Sequence, residues 1–156
     1  MRVHIATDHA GMELSSHLIT ALSAKGYEMI DHGPTVYDAE DDYPGFCINA
    51  ASAVVADQAE GVDALGIVLG GSGNGEQIAA NKVKGVRAAL VWNLDTAKLA
   101  REHNDANVVA VGGRQHTVEE ATKLIEAFLT EPSSNAERHK RRIGQIATYE
   151  TTGELP

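Results

Sequence analysis

The chain has one cysteine, Cys47, so neither an intrachain disulfide nor a thiolate metal cluster is available to it. Its seven histidines show no HExxH or comparable ligand spacing, and no metal site is expected. Long hydrophobic runs are missing. No stretch approaches the roughly 20 apolar residues that span a bilayer, and the N-terminus lacks the charged and apolar regions of a secretory signal. Basic charge is scarce: 13 Lys and Arg stand against 22 Asp and Glu, a formal net charge of -9. That balance argues against nucleic acid or an anionic membrane as a partner for the chain as a whole. Aromatics amount to only 4%. No internal repeat, low-complexity segment or interdomain linker interrupts the 156 residues. These absences leave one soluble, cytoplasmic domain as the plain reading.

What is abundant is glycine, and it is concentrated. Leu65-Gly66-Ile67-Val68-Leu69 reads as a buried parallel strand. Four glycines follow within six residues, at Gly70, Gly71, Gly73 and Gly75. Glu76-Gln77-Ile78-Ala79-Ala80 then opens a helix with an acid in its first turn. A strand, a glycine loop and a helix start aim several peptide N–H groups at one point and make an anion hole. Three familiar phosphate or nucleophile motifs fail here. The dinucleotide fingerprint and the phosphate loop both fail at Glu76, where they require Gly and Lys. The nucleophile elbow G-x-S-x-G fits Gly70 and Ser72 but fails at Asn74. A carboxylate beside an anion hole suits a different task. It removes a proton next to a carbonyl while the amides hold the developing oxyanion, which is the chemistry of an aldose–ketose isomerase. The alternative is a tight turn with a solvated glutamate.

The rest of the chain alternates strands and helices. Strands are expected at 2–7, 27–31, 65–69, 86–91 and 107–112. Helices are expected after Gly11, from Pro44, from the glycine loop, over 94–102, over 117–129 and from about Asn135. Thr117 and Glu120 form a capping-box pattern. This order indicates an α/β fold, a Rossmann-like three-layer sandwich on a five-stranded parallel sheet. It occupies residues 1–150 as one domain, and 151–156 is read as a frayed tail. Ligands of such sheets bind beyond the carboxyl ends of the strands. Asp8 and His9 follow the first strand there, the glycine loop the third and Arg114 the fifth.

Each candidate also has an ordinary structural role. Asp8-His9 suits substrate binding or proton shuttling, or a hydrogen-bonded turn. Ser72 suits donation to a reacting oxygen, or a turn hydroxyl bonded to a neighbouring amide. His103 titrates near neutrality and suits sugar-ring opening, yet histidines are common near helix C-termini. Arg138 and Arg142 lie four apart on one helix face and with Arg114 suit a phosphate, or a solvated basic patch. Cys47 falls among apolar helix residues and reads as core.

The pieces Asp8-His9-Ala10-Gly11, Asp42-Tyr43-Pro44, Gly70 to Gly75, Ile78-Ala79-Ala80-Asn81-Lys82, His103-Asn104, Gly112-Gly113-Arg114 and the Arg138–Arg142 pair span nearly the whole chain. Together they resemble the ribose-5-phosphate isomerase B family, which includes isomerases of hexose 6-phosphates such as the galactose-6-phosphate isomerase subunits. Many members carry a cysteine base where this chain has Gly70. The chain instead resembles the actinobacterial branch, whose base is a glutamate at the position of Glu76, expected to approach the proton from another side. The resemblance implies the following roles. Asp8 and His103 assist ring opening, Glu76 carries the proton between C2 and C1, and Ser72 shuttles a proton between the oxygens. The amides from Gly71 through Gly73 and Asn74 to Gly75 hold the enediolate, Tyr43 and Asn104 line the site, and His9, Arg114, Arg138 and Arg142 hold the phosphate. It further implies no cofactor and a homodimer or dimer of dimers with shared active sites, in which His103, Asn104 and Arg114 face the neighbour's glycine loop. The rival expectations are a hexose 6-phosphate isomerase, a non-catalytic phosphate- or nucleotide-binding module and, remotely, a serine hydrolase using Ser72.

Overall fold

The computed structural model describes all 156 residues. Five strands form one parallel sheet: β1 (Arg2–Thr7), β2 (Glu28–Asp31), β3 (Ala64–Gly70), β4 (Ala88–Leu90) and β5 (Val108–Gly112), in the order β2-β1-β3-β5-β4. Helices α1 (Met12–Ala24), α2 (Tyr43–Ala59), α3 (Asn74–Ala80), α4 (Leu94–Asn104), α5 (Val118–Thr130) and α6 (Glu137–Thr152) follow in chain order, and one 3-10 turn (His9–Gly11) precedes α1. The chain leaves β1 toward β2 on one side and returns past it to β3 on the other. The boundary between β1 and β3 is therefore the switch point, where a crevice opens beyond the strand ends.

Alternation along the strands divides the core in two. Val3 and Ile5 of β1, Leu65, Ile67 and Leu69 of β3, and Val109 and Val111 of β5 meet Leu14, Leu18 and Leu22 of α1 and Ile125, Phe128 and Leu129 of α5. Ala6, Val68, Val108 and Ala110 point the other way, onto Cys47, Ala50 and Val54 of α2 and Ala79 and Ala80 of α3. Each large side chain fully buried in these layers contributes about 1.5–3 kcal/mol of transfer free energy.

Element ends differ from the sequence expectation where local hydrogen bonds intervene. Tyr27 N–H closes onto Leu22 O and finishes α1, so β2 starts at Glu28. Strand β4 shrinks to three residues, because Val86 N–H bonds to Val83 O and Arg87 N–H to the Asn107 side chain. Asn135 adopts φ 54°, a left-handed conformation that delays α6 to Glu137. Helix α6 runs through Thr152, so the residues beyond it are 153–156 rather than 151–156. The capping box of Thr117 and Glu120 is present in both directions. No helix is long and apolar enough to cross a membrane.

Candidate active site

The glycine loop sits at the switch point and is held there by its neighbours. Gly113 N–H donates to Gly70 O at 2.8 Å and Arg114 N–H to Gly71 O at 3.2 Å, which ties the loop to the turn after β5. Gly73 takes φ +80°, and a Cβ there would meet Leu90 Cδ1 at 2.7 Å and Gly112 N at 3.0 Å. Glycine is required at 73 on both counts. The peptide N–H groups of Gly71 and Ser72 donate to nothing within the chain. Gly75 lies in the first turn of α3, where peptide N–H groups have no helical acceptor. Donors so placed can hold an anion.

The Glu76 side chain folds back into that loop and is buried, 4% exposed. Burial raises its carboxyl pKa above the usual value, and the nearby Asp8 adds to the rise. The peptide N–H groups of Glu76 itself and of Gly73 oppose it, and burial prevails. A carboxylate whose pKa is raised is a stronger base, as proton abstraction beside a carbonyl requires. The carboxylate lies where a side chain at position 70 would begin. A Cβ on Gly70 would stand 1.8 Å from Glu76 Oε1 and 2.2 Å from its Cδ. This corrects the expectation that the carboxylate comes from another side: a side chain at 70 and the Glu76 carboxylate compete for one volume. Cys47 also lies within reach of these charges, but its thiol is fully buried and pushed up to about 12, first by burial and then by Glu76 and Asp8. It is an inert core residue, as expected.

Asp8, at the end of β1, is 7% exposed and accepts Ala10 N–H at 2.9 Å on Oδ1. His9 is held by a residue that the sequence reading passed over. Asp41 Oδ1 accepts from His9 N–H at 3.0 Å and lies 2.7 Å from His9 Nδ1. Its other oxygen is buried without a partner. The pair fixes the ring with Nδ1–H toward Asp41 and leaves Nε2 for a ligand. Donor atoms of Asp8, His9 and Asp41 lie within 4.8 Å of one another. Asp41 Oδ1 alone holds the imidazole, while Asp8 Oδ1 is engaged by Ala10 N–H. The only sequence signal for Asp41 was its place in the acidic run before Tyr43 and Pro44. Tyr43 packs its ring against Gly75, where a Cβ would fall 2.5 Å from the phenol oxygen. Ser72 accepts Asn74 N–H at 3.3 Å, which is the turn role that its position also allowed. Arg114 is exposed, and its side chain lies beside Gly71 of its own chain. That separates it from His103 and Asn104, with which the resemblance had grouped it.

His103, Asn104, Arg138 and Arg142 are elsewhere. Helix α4 starts beyond the carboxyl end of β4 and carries the chain back about 16 Å in its 11 residues. His103 and Asn104 therefore sit at the amino ends of the strands, where Arg87, at the start of β4, donates to Asn104 O at 2.9 Å. Helix α6 crosses the same end, with Ser134 N–H donating to Glu102 O and His103 stacked on His139 at 4.4 Å between ring centres. The length of β5 alone, about 13 Å, separates this group from the glycine loop. One chain thus carries its expected site residues in two groups at opposite ends of its sheet.

The fold and the group at its switch point define a class: a parallel α/β protein with a buried carboxylate and a glycine loop whose Gly71 and Ser72 peptide N–H groups have no acceptor. The chain belongs to the ribose/galactose isomerase family, whose sequence profile matches residues 3–146. It is 56% identical over 156 residues to ribose-5-phosphate isomerase B of Mycolicibacterium paratuberculosis, covering 100% of this chain and 96% of that relative. It is 57% identical to the protein of that name from Mycobacterium tuberculosis, covering 100% and 94%. Among solved structures, ribose-5-phosphate isomerase B from Mycoplasma genitalium with bound ribulose-5-phosphate superposes with a TM-score of 0.89 at 40% identity, covering 97% of both chains. The Trypanosoma cruzi type B enzyme gives 0.88 at 39% identity, covering 98% of both.

Proposed function

We propose that this chain interconverts ribose 5-phosphate and ribulose 5-phosphate through an enediolate. The observation that carries the reading is the Glu76 carboxylate, buried, of raised pKa and folded into a loop where the Gly71 and Ser72 amides have no acceptor. The names of its relatives and the ribulose 5-phosphate held by the M. genitalium protein support the same substrate pair.

Ring opening needs a proton moved from the anomeric hydroxyl to the ring oxygen, and Asp8 and His103 perform it. Glu76 then takes the proton from C2 and returns it to C1. The charge that develops on the carbonyl oxygen is met by the amides of Gly71, Ser72, Gly73, Asn74 and Gly75. One such donor is worth about 2.7–4 kcal/mol of barrier, so the loop supplies a large part of the acceleration. Ser72 moves a proton between the two oxygens. His9, oriented by Asp41, and Arg114 hold the phosphate together with Arg138 and Arg142, while Tyr43 and Asn104 line the pocket. No step passes through a metal or an organic cofactor.

The two half-sites lie too far apart in one chain to share a pentose phosphate. The working unit is therefore a homodimer in which the glycine loop of one copy meets the His103–Arg138 group of the other. Light scattering that finds only monomer at working concentration would remove this part of the reading. Isomerisation of ribose 5-phosphate with chelator present tests the whole, for the native chain and Glu76→Gln. Glutamine keeps the shape and removes the base, so kcat is expected to fall by roughly 10²–10⁴-fold. A rate within a few-fold of native would discard Glu76 as the base. A native chain that turns over allose 6-phosphate but not ribose 5-phosphate would move the substrate to a hexose phosphate.

A further inference from the structure

His139 is the one buried member of the basic run Arg138-His139-Lys140-Arg141-Arg142, 5% exposed in the first turn of α6. Both its ring nitrogens are engaged. Arg138 Nε lies 3.1 Å from His139 Nε2, and Ser134 Oγ lies 2.7 Å from His139 Nδ1. An arginine only donates, so His139 Nε2 must accept. The proton therefore sits on Nδ1 and is given to the Ser134 hydroxyl. On its face the ring carries His103, 4.4 Å away and tilted by 41°. Neighbouring residues on a helix do not normally face each other. Arg138 folds onto its neighbour to make this bond, which uses its Nε–H and leaves the terminal nitrogens as the free edge.

Resting on the assignment of Arg138 to the substrate phosphate, we propose that neutral His139 is the positioning residue of the second half-site: it aims the Arg138 guanidinium and backs the ring of His103. Protonation would put an N–H against the Arg138 N–H and break the bond, so the half-site loses its aim in acid. The groups facing His139 bear on that titration. Burial lowers its pKa first, followed by His103 from α4 and Arg138 and Arg142 from its own helix. Glu102 of α4 pulls the other way. The neutral form is therefore held at neutral pH.

The test uses His139→Gln, whose amide oxygen reaches the place of Nε2, and His139→Leu, which fills the volume without an acceptor. Kinetics on ribose 5-phosphate and competitive inhibition by inorganic phosphate are measured between about pH 5.5 and 8.5. At neutral pH, His139→Leu is expected to raise KM and the phosphate inhibition constant about tenfold, with a much smaller change in kcat, and His139→Gln to restore both. The native enzyme weakens in acid more than His139→Gln does, because substrate protonation and every other titratable group are common to both and only position 139 differs. If His139→Leu does not fold, the native and Gln pH profiles decide alone, and identical acid limbs overturn the proposal. Nitrogen-15 spectra should show the Nδ1–H tautomer at neutral pH, and an Nε2–H tautomer overturns it. An Arg138→Ala chain that loses phosphate affinity while His139→Leu keeps it sinks the role of His139 and leaves Arg138 in place. An Arg138→Ala chain with unchanged KM and inhibition constant sinks the phosphate assignment itself, and the His139 proposal with it.

Discussion

The two groups of proposed site residues are built differently. At the carboxyl ends of the strands, the chemistry rests on backbone: a loop clamped by β3, β5 and their turns, glycines packed against Leu90, Gly112 and Tyr43, and one buried carboxylate. At the amino ends it rests on long side chains of helix surfaces, with Arg138 and Arg142 exposed and His139 alone buried among them. The first region is preorganised before a ligand arrives, which is what stabilising a developing charge demands. The second carries exposed charge on α6, held within the chain only through the bond from Arg138 to His139. The division suggests why one fold carries them at opposite poles. The strand ends supply rigidity, and the helix surfaces supply a face that a second copy can cover.

The sharpest way to break this contrast is to touch the rigid half by a single methyl group. Gly70→Ala places a Cβ where the Glu76 carboxylate now lies, so kcat should fall by about 10²-fold. The fold should survive, as read by circular dichroism. Native-like turnover in Gly70→Ala would show that the carboxylate moves freely and that the loop is not preorganised. The double chain Gly70→Cys with Glu76→Ala should then exceed Gly70→Cys alone, because alanine vacates the space that the carboxylate contests with a thiol.

The separation of the halves makes a second prediction. Co-expressed, differently tagged chains carrying Glu76→Gln and His103→Asn should each be nearly inactive as homodimers. The purified heterodimer should recover about half of the native rate, since one of its two sites draws both groups from unmutated positions. A heterodimer as inactive as its parents would place both halves of a site in one chain.

A smaller effect is expected from Asp41, which belongs to the rigid half but acts through another side chain. Asp41→Ala removes both hydrogen bonds to His9 and should raise KM about tenfold while kcat changes less. An unchanged KM, measured across substrate concentrations, would reduce the pair to loop architecture.

The smallest effect is thermodynamic. The raised pKa of Glu76 means that the folded chain binds its proton more readily than the unfolded chain does. Stability therefore falls as pH rises from the unfolded value of about 4.3 through the folded one, and the charged form is held at a cost at neutral pH. Glu76→Gln should melt slightly higher than native at neutral pH, with the gap closing below the ordinary carboxylate range. Calorimetry showing a lower melting temperature at neutral pH would mean that the carboxylate stabilises the loop instead.

Much of the rigid half was legible because its signals are local. Glycine spacing, the following acid and the strand before them lie within a dozen residues, whereas which of the glycines turns left-handed, Gly73, is shown only by the fold. The second half was visible as residues but not as a place. His103 and Arg138 stand 35 positions apart, and nothing in their spacing says which end of the sheet they reach. Asp41 was missed for the same reason, since its partner His9 lies 32 positions away. The amino-acid sequence by itself determined the alternation of strands and helices, the anion loop and the acid that sits in it, because each depends on short-range backbone preference and hydrophobic period. Only the tertiary structure decided that the Glu76 carboxylate takes the volume of a side chain at 70, that Asp41 holds His9, and that His103, Arg138 and Arg142 lie at the far end while Arg114 stays beside the loop. Those outcomes depend on how helices pack across a sheet, and packing joins residues that the sequence keeps apart.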